Sequence, residues 1–284
     1  MGLINYNIEK YTPTQLVVIP LVLLIASLLL LSLNMATTGM PVKPGIDFSG
    51  GTAVTLDTTE TADQLRAAFA GYPLTEVSQG VNNGKFLKFG AMDDSQFRAL
   101  AQQINTNYPD AKVDQIGESF GKTLQQQAVL ALIFSFIGMA IVIFIAFRTF
   151  VPAAAVVISA FADMVMTAAA MNIIGIPLTL GTTAALLMLI GYSVDSDILL
   201  TNRVLKRQGK LIDKLKGAFD TGMSMTSTTF AAIAAMLIIS WIGSVEILMQ
   251  ISAVLLIGLA FDVMNTWLTN VAILKWYVQK GGGK

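Results

Sequence analysis

The sequence predicts a polytopic α-helical membrane protein with six transmembrane helices, plus a small extracytoplasmic α+β domain between the first two. Three observations carry this. Apolar residues make up 54% of the 284-residue chain and charged residues only 13%. With a mean hydropathy of +0.67, this balance belongs to membrane proteins and not to soluble enzymes. Six apolar runs are each long enough to cross about 30 Å of hydrocarbon, which takes about 20 helical residues. One polar stretch of domain size, 37–122, interrupts them after the first run.

The runs lie near 15–34, 125–147, 152–172, 178–200, 220–242 and 246–274. Pro152 and Pro177 are expected at the starts of the third and fourth helices, where a missing N–H matters least. Lys10, Arg148, the run from Arg203 to Lys216, Lys275 and Lys280 fall on one side of this layout. The positive-inside rule makes that side cytoplasmic, with both termini and a basic loop at 201–218. The expected organisation is therefore 1–36 as N-terminus and first span, 37–122 as an outer domain, and 123–284 as spans two to six. A cleaved signal peptide is the competing reading of the first segment, but its apolar run is long for one, which favours an uncleaved anchor. The basic loop reads as a solvated topology determinant before a lipid or partner site.

Within 37–122 the pattern reads element by element. Thr52 to Leu56 alternates like a strand. A Thr61-x-x-Gln64 capping box precedes Leu65, Ala68, Phe69 and Tyr72 at helical spacing. Thr75–Gln79 and Lys85–Phe89 flank Asn82-Asn83-Gly84, a hairpin signal because Asn and Gly accept left-handed backbone. Asp93-x-x-Gln96 opens a second amphipathic helix bearing Phe97, Leu100, Ala101 and Ile104, and Ala111–Ile116 supplies a last strand. The order β-α-β-β-α-β is that of a ferredoxin-like domain.

Several chemistries are excluded. The chain has no Cys and no His, which removes disulfides, thiol nucleophiles, Cys/His metal sites and imidazole chemistry. A formal net charge of zero offers no basic excess for nucleic acid. No P-loop is present. No catalytic, cofactor or metal site is predicted, and the chain is expected not to be an enzyme.

The acids inside the spans stand out: Asp163 in the third, Asp195 and Asp197 in the fourth, and Asp262 in the sixth. An acid in an apolar span costs about 2.5–3.5 kcal/mol by insertion scales. Desolvation without a cation beside it favours the neutral acid, so such a group can take up and release protons. Asp195 leads these proton-relay candidates, because Gly191 allows close helix approach and a second acid follows two residues on. Asp197 lies nearer the cytoplasmic end, where it can reach water. The alternative role is structural, with bonds to Ser193, Thr201, Asn202 or the polar stripe Thr226–Thr229. Runs of alanine permit close helix packing in lipid.

Two further segments carry a resemblance. Asp47-Phe48-Ser49-Gly50-Gly51 follows the first span, and Gly191-Tyr192-Ser193 opens a motif in the fourth. In this order, with the stretch from Gly117 to Gln127 entering the second span, they resemble the SecF family of protein-export membrane proteins, within the RND superfamily. Asp163 matches the family's span-three acid. Bacterial members read G-Y-S-x-N-D in span four, which puts the acid at Ser196, whereas Asp195 matches the acid of the SecD motif. The span-five arginine of many bacterial members has no counterpart near Gly222. The pattern is closer to archaeal members.

The resemblance implies a place in the cell membrane and a partnership with SecD beside a SecYE-type translocation channel. It implies an exported unfolded polypeptide as the client and the proton-motive force as the energy source. An RND-type exporter of small molecules or lipids is the runner-up reading, and an intramembrane aspartyl protease a distant third.

Overall fold

The computed structural model describes residues 10–80 and 83–281. Asn82 of the hairpin signal and the last three residues of the tail Gly281-Gly282-Gly283-Lys284 lie outside the described residues. Among the described residues, six helical stretches are long and apolar enough to cross a membrane. They are α1 (Pro13–Thr38), α5 (Glu118–Phe147), α6 (Phe150–Ile174), α7 (Leu180–Lys206), α8 (Leu211–Ile242) and a final composite. The composite runs through α9 (Glu246–Met264), a π-helical segment (Asn265–Asn270) and α10 (Val271–Gln279).

Sequence chemistry explains the boundaries. Thr12 and Gln15 close a capping box at the start of α1, and Gly39 ends it in left-handed backbone. Pro152 lies inside the first turn of α6, as expected. Pro177 lies before α7, whose first turn is capped instead by Thr179 with Thr182. The starts of α5 and α8 precede the apolar runs. Gly117 passes directly from strand to helix in the first case, and in the second Leu215, Ala218 and Phe219 bury an amphipathic face.

α6 and α7 form the centre of the bundle, with 61% and 56% of their most apolar windows buried, against 6% for α5 and 11% for α1 and α8. The alanines make this possible. Ala153, Ala155, Ala160, Ala162 and Ala169 are all buried on α6, where small side chains let backbones approach. Two closer contacts fall on glycines. Leu189 packs onto Gly258 and Trp267 onto Gly222, in space a Cβ would occupy.

The polar stretch forms β1 (Gly51–Asp57), α3 (Ala62–Ala68), β2 (Leu74–Gln79), β3 (Gly84–Phe89), α4 (Asp94–Asn107) and β4 (Lys112–Ile116). A four-residue helix, α2 (Ile46–Ser49), precedes them. The sheet order is β2-β3-β1-β4, and every pairing is antiparallel. Both capping boxes read from the sequence are present, at Thr61 and Asp93. Asn83 takes the left-handed φ of 63° that its turn requires. Val54, Leu56, Leu87 and Phe89 of the sheet meet Leu65, Phe69, Leu100 and Ile104 of the helices in one buried core. Each contributes about 1.5–3 kcal/mol through burial.

The opposite sheet face, with Phe86 and Lys88, turns toward the ends of the spans. Lys88 Nζ lies 2.6 Å from Glu246 at the start of α9.

Candidate functional site

Three of the four intramembrane acids meet in one place. Asp163 on α6, Asp197 on α7 and Asp262 on α9 are almost completely buried. Asp163 Oδ2 accepts a hydrogen bond from Ser193 Oγ at 2.6 Å, and its Oδ1 accepts one from Asn265 Nδ2 at 2.6 Å. Asp197 Oδ1 accepts from Thr266 Oγ1 at 2.8 Å and from Asn270 Nδ2 at 2.7 Å. Ser196 Oγ and Thr266 Oγ1 stand 3.1 and 3.2 Å from Asp262 Oδ1.

These contacts join into a path. Ser193 on α7 touches Asp163 and lies beside Asp262, and Ser196, one turn on, meets Asp262 and Thr266 and donates to the Ser193 carbonyl. Thr266 then reaches Asp197. Hydroxyls both donate and accept, so a chain of them can pass a proton between carboxyls.

The path holds fewer hydroxyl protons than acceptors. Ser196 Oγ has one proton, yet Ser193 O, both oxygens of Asp262 and Thr266 Oγ1 lie 2.9–3.4 Å from it. Thr266 Oγ1 is similarly shared between Asp197 and Asp262. A proton carried by one of the carboxyls would supply the missing donor. The salt bridges Arg66–Asp63, Lys88–Glu76, Lys88–Glu246 and Lys122–Glu118 all lie outside this network. Ser159 of α6 lies beside the Asp197 carboxyl, and Thr201 Oγ1 and Asn270 Oδ1 are buried without a hydrogen-bond partner among the described residues. Native interiors rarely leave such atoms unpaired, and they cluster where function demands it.

The π-helical segment positions the donors. An α-helix turns slightly past its starting direction every four residues, whereas the wider π turn falls short of it. An α turn from Asp262 to Thr266 followed by a π turn to Asn270 therefore keeps all three facing α7. Sequence reading missed Asn265, Thr266 and Asn270. The signal available was Asn265-Thr266-Trp267-Leu268-Thr269-Asn270, a polar interruption of an apolar span.

Asp195 is not in the network. Two residues from Asp197 on a helix is about 200° around the axis, and the Asp195 side chain is exposed on the side of α7 away from α6 and α9. Gly191 shares that side, with nothing within 4 Å of its would-be Cβ, so it admits no helix of this chain. Tyr192 is half-buried, and Ser193 turns inward to Asp163. Asp197 is buried and does not reach water at the end of its span. The threonine stripe of α8 is also no partner of the acids. Thr228 and Thr229 return their hydroxyls to the carbonyl of Met225 on their own helix, at 2.7 and 3.2 Å.

The Asp47–Gly51 segment is a joint between the α/β domain and the bundle. Asp47 Oδ2 accepts from the Leu180 N–H at 2.8 Å, capping α7 from another part of the chain. Phe48 is buried, and its carbonyl lies 3.0 Å from where a Cβ on Gly121 of α5 would sit. Gly50 and Gly51 have φ of 74° and 142°. A Cβ on Gly50 would lie 2.8 Å from Glu118 Cα, and one on Gly51 would strike the Phe89 carbonyl. The glycines are required by both backbone and space. Gly45 N and Leu178 N complete the joint, donating to Leu178 O at 2.7 Å and Lys43 O at 2.8 Å. Removing the cap with Asp47→Ala is expected to cost about 0.5–2 kcal/mol, read as a lower melting temperature of the purified protein, while Asp47→Asn retains most of it.

Residues 96–280 match the family described as "Protein export membrane protein SecD/SecF, C-terminal". A SecF protein-export membrane protein of Methanolacinia petrolearia is 55% identical over 99% of this chain and 100% of its own length. The chain belongs to the SecF family. Other SecF proteins agree in length as well. That of Haloferax volcanii is 40% identical over 96% of this chain and 95% of its own, and that of Pyrococcus furiosus 37% identical over 96% and 93%. Among solved structures, SecDF of Thermus thermophilus superposes with a TM-score of 0.66 at 21% identity. The match covers 91% of this chain but 38% of that one, so this SecF-family chain spans well under half of the SecDF chain. With its six apolar helices, it is a multi-pass membrane protein of protein export.

Proposed function

We propose that this SecF chain is one half of a SecD–SecF assembly that assists a SecYE-type channel, and that its buried acids couple export to the proton-motive force. In this reading the α/β domain is ferredoxin-like and extracytoplasmic, both termini are cytoplasmic, and the client is an unfolded polypeptide leaving the channel. The chain acts as a transport subunit and not as an enzyme.

The observation that carries the reading is the Asp163–Asp262–Asp197 path. Ser193 stands beside both Asp163 and Asp262, and Ser196 and Thr266 continue from Asp262 to Asp197, so the three carboxyls share hydroxyl neighbours across α6, α7 and the last span. A charge crossing the bilayer gains about 2.3 kcal/mol per 100 mV, and a proton taken up here alters which hydrogen bonds hold these three helices together. Proton passage and helix movement thereby share the same groups.

A second six-span subunit is supported by what the bundle leaves uncovered. Asp195, Gly191, Met188 and Ala184 form one exposed stripe on α7, and Ser224, Ser227 and Thr228 are exposed on neighbouring α8. An acid facing lipid beside the serine hydroxyls is costly, and small residues beside them suit close helix contact. A pseudo-symmetric SecD would cover them. Asp195→Arg is expected to lower recovery of SecD with the tagged chain, while leaving the chain's own melting temperature unchanged. Equal recovery would remove Asp195 from the interface.

The reading as a whole is tested by export of a secreted reporter in cells lacking the chain. Wild type is expected to restore export, and to do so only while the membrane is energised. Normal export without the chain, or restoration that survives collapse of the proton gradient, overturns it.

A further inference from the structure

The α/β domain is held to the bundle at two ends of different character. At the first, the Asp47–Gly51 joint ties it down through backbone hydrogen bonds, a cap on α7 and glycine-tight packing against α5. At the second, the underside of β2 and β3 meets the connection between α8 and α9 through side chains. Lys88 Nζ lies 2.6 Å from Glu246 Oε1 and 3.3 Å from Glu76 Oε2. Gly80 abuts Ser244, whose Oγ stands 2.8 Å from where a Cβ on Gly80 would be. Between these contacts is a cavity of about 190 Å³, lined by Phe86, Lys88, Trp241, Glu246 and Met249 among others.

We propose that this second end is a releasable clasp, and that the α/β domain pivots on the Asp47–Gly51 joint when the clasp opens during export. The inference rests on the export reading above. A permanent interface buries a close-packed apolar core, whereas this one leaves an open cleft between its contacts and is crossed by the charged bridge from Lys88 to Glu246. A charged bridge beside an open cleft fixes position without a close-packed core, which suits a contact that must break. Burial pushes the Lys88 ammonium down, but Glu246 and Glu76 outweigh it and hold its pKa above the usual lysine value. The clasp is therefore charged across the physiological range and opens by displacement, not by loss of the lysine proton.

The joint carries the motion to the site. Asp47 caps the α7 N-terminus, and α7 bears Ser193, Ser196 and Asp197. The clasp sits on the first residue of α9, the helix of Asp262. Opening it changes the load on both helices that bracket the network.

The absence of native cysteine allows a direct test. In Gly80→Cys/Ser244→Cys the two Cβ atoms would lie 3.2 Å apart, near the 3.5–4.5 Å of natural disulfides. Oxidation is followed by altered mobility on a non-reducing gel. We expect export of the secreted reporter to fall to the level of cells lacking the chain when the bridge is closed, and to return on reduction, with no response to oxidation in either single-cysteine variant. Wild-type export with the bridge closed overturns the clasp while leaving the export function standing, because the wild-type chain serves as its own control. Should the double variant fail even when reduced, Lys88→Gln provides the second measurement. Faster hydrogen exchange in residues 74–89 and 243–250 of the full-length protein is expected, and unchanged exchange in both segments overturns the proposal.

Discussion

Asp197→Asn is expected to abolish energised export while leaving the amount of chain in the membrane unchanged. The substitution is unusually clean at this position. Asp197 Oδ1 accepts from both Thr266 and Asn270, at 2.8 and 2.7 Å, and Oδ2 accepts from neither. An asparagine can keep its carbonyl oxygen at the first site and place its NH₂ at the second, so both donors stay satisfied. Size and hydrogen bonds are retained and only ionisation is lost. Reporter secretion, measured at matched membrane levels, should drop to that of cells without the chain. Asp195→Asn, which changes nothing in the buried network, should retain export mediated by that network. If Asp197→Asn exports normally, Asp197 holds helices together and carries no coupled proton.

This expectation reverses the weighting that the sequence suggests, and the reason is geometric. Asp195 and Asp197 look equivalent in a string, but a helix separates residues two apart by more than half a turn. Which of them faces inward depends on how α7 is rotated, and α7 carries polar residues on both its buried and its exposed side, so periodicity does not decide it. Ser193, Ser196 and Asp197 share the buried side. Rotation is decided instead by contacts such as Leu189 on Gly258, made between residues far apart in the chain.

The α/β domain was legible for the opposite reason. Its helices and strands have one wet face and one dry face, so Leu65, Phe69, Leu100 and Ile104 announce themselves at helical spacing and all four are in the core. Capping boxes and the Asn-Gly turn act locally, so they can be read locally. The six spans were legible from apolar length alone. The donors Asn265, Thr266 and Asn270 escaped because their common direction depends on a π turn, which no simple period anticipates. The role of Asp47 escaped because its partner, Leu180, lies 133 residues away.

The π turn exposes the network to a change made outside it. Trp267 lies in that segment between Thr266 and the rest of the donors, with its ring against Gly222 of α8 and edge-on to Phe219, ring centroids 5.0 Å apart. A Cβ at Gly222 would overlap the indole. Gly222→Val therefore has to push Trp267 away, at about 1–3 kcal/mol for overpacking a close-packed site. The buried ring is confined by Phe219, so part of the push passes to its backbone, and that backbone carries Thr266 to Asp197 and Asp262 and Asn270 to Asp197. Loss of thermal stability and loss of export should thus arrive together from a glycine that touches no acid. Gly138→Val on α5 is the matched control, since nothing lies within 4 Å of a Cβ there, and it should change neither. Combining Gly222→Val with Trp267→Leu returns the missing volume and should recover part of the stability, a coupling of about 0.5–3 kcal/mol for residues in contact. Export should recover with it only if the smaller side chain lets Thr266 and Asn270 return to the acids, which separates the packing of α8 on the last span from the bonds that packing maintains.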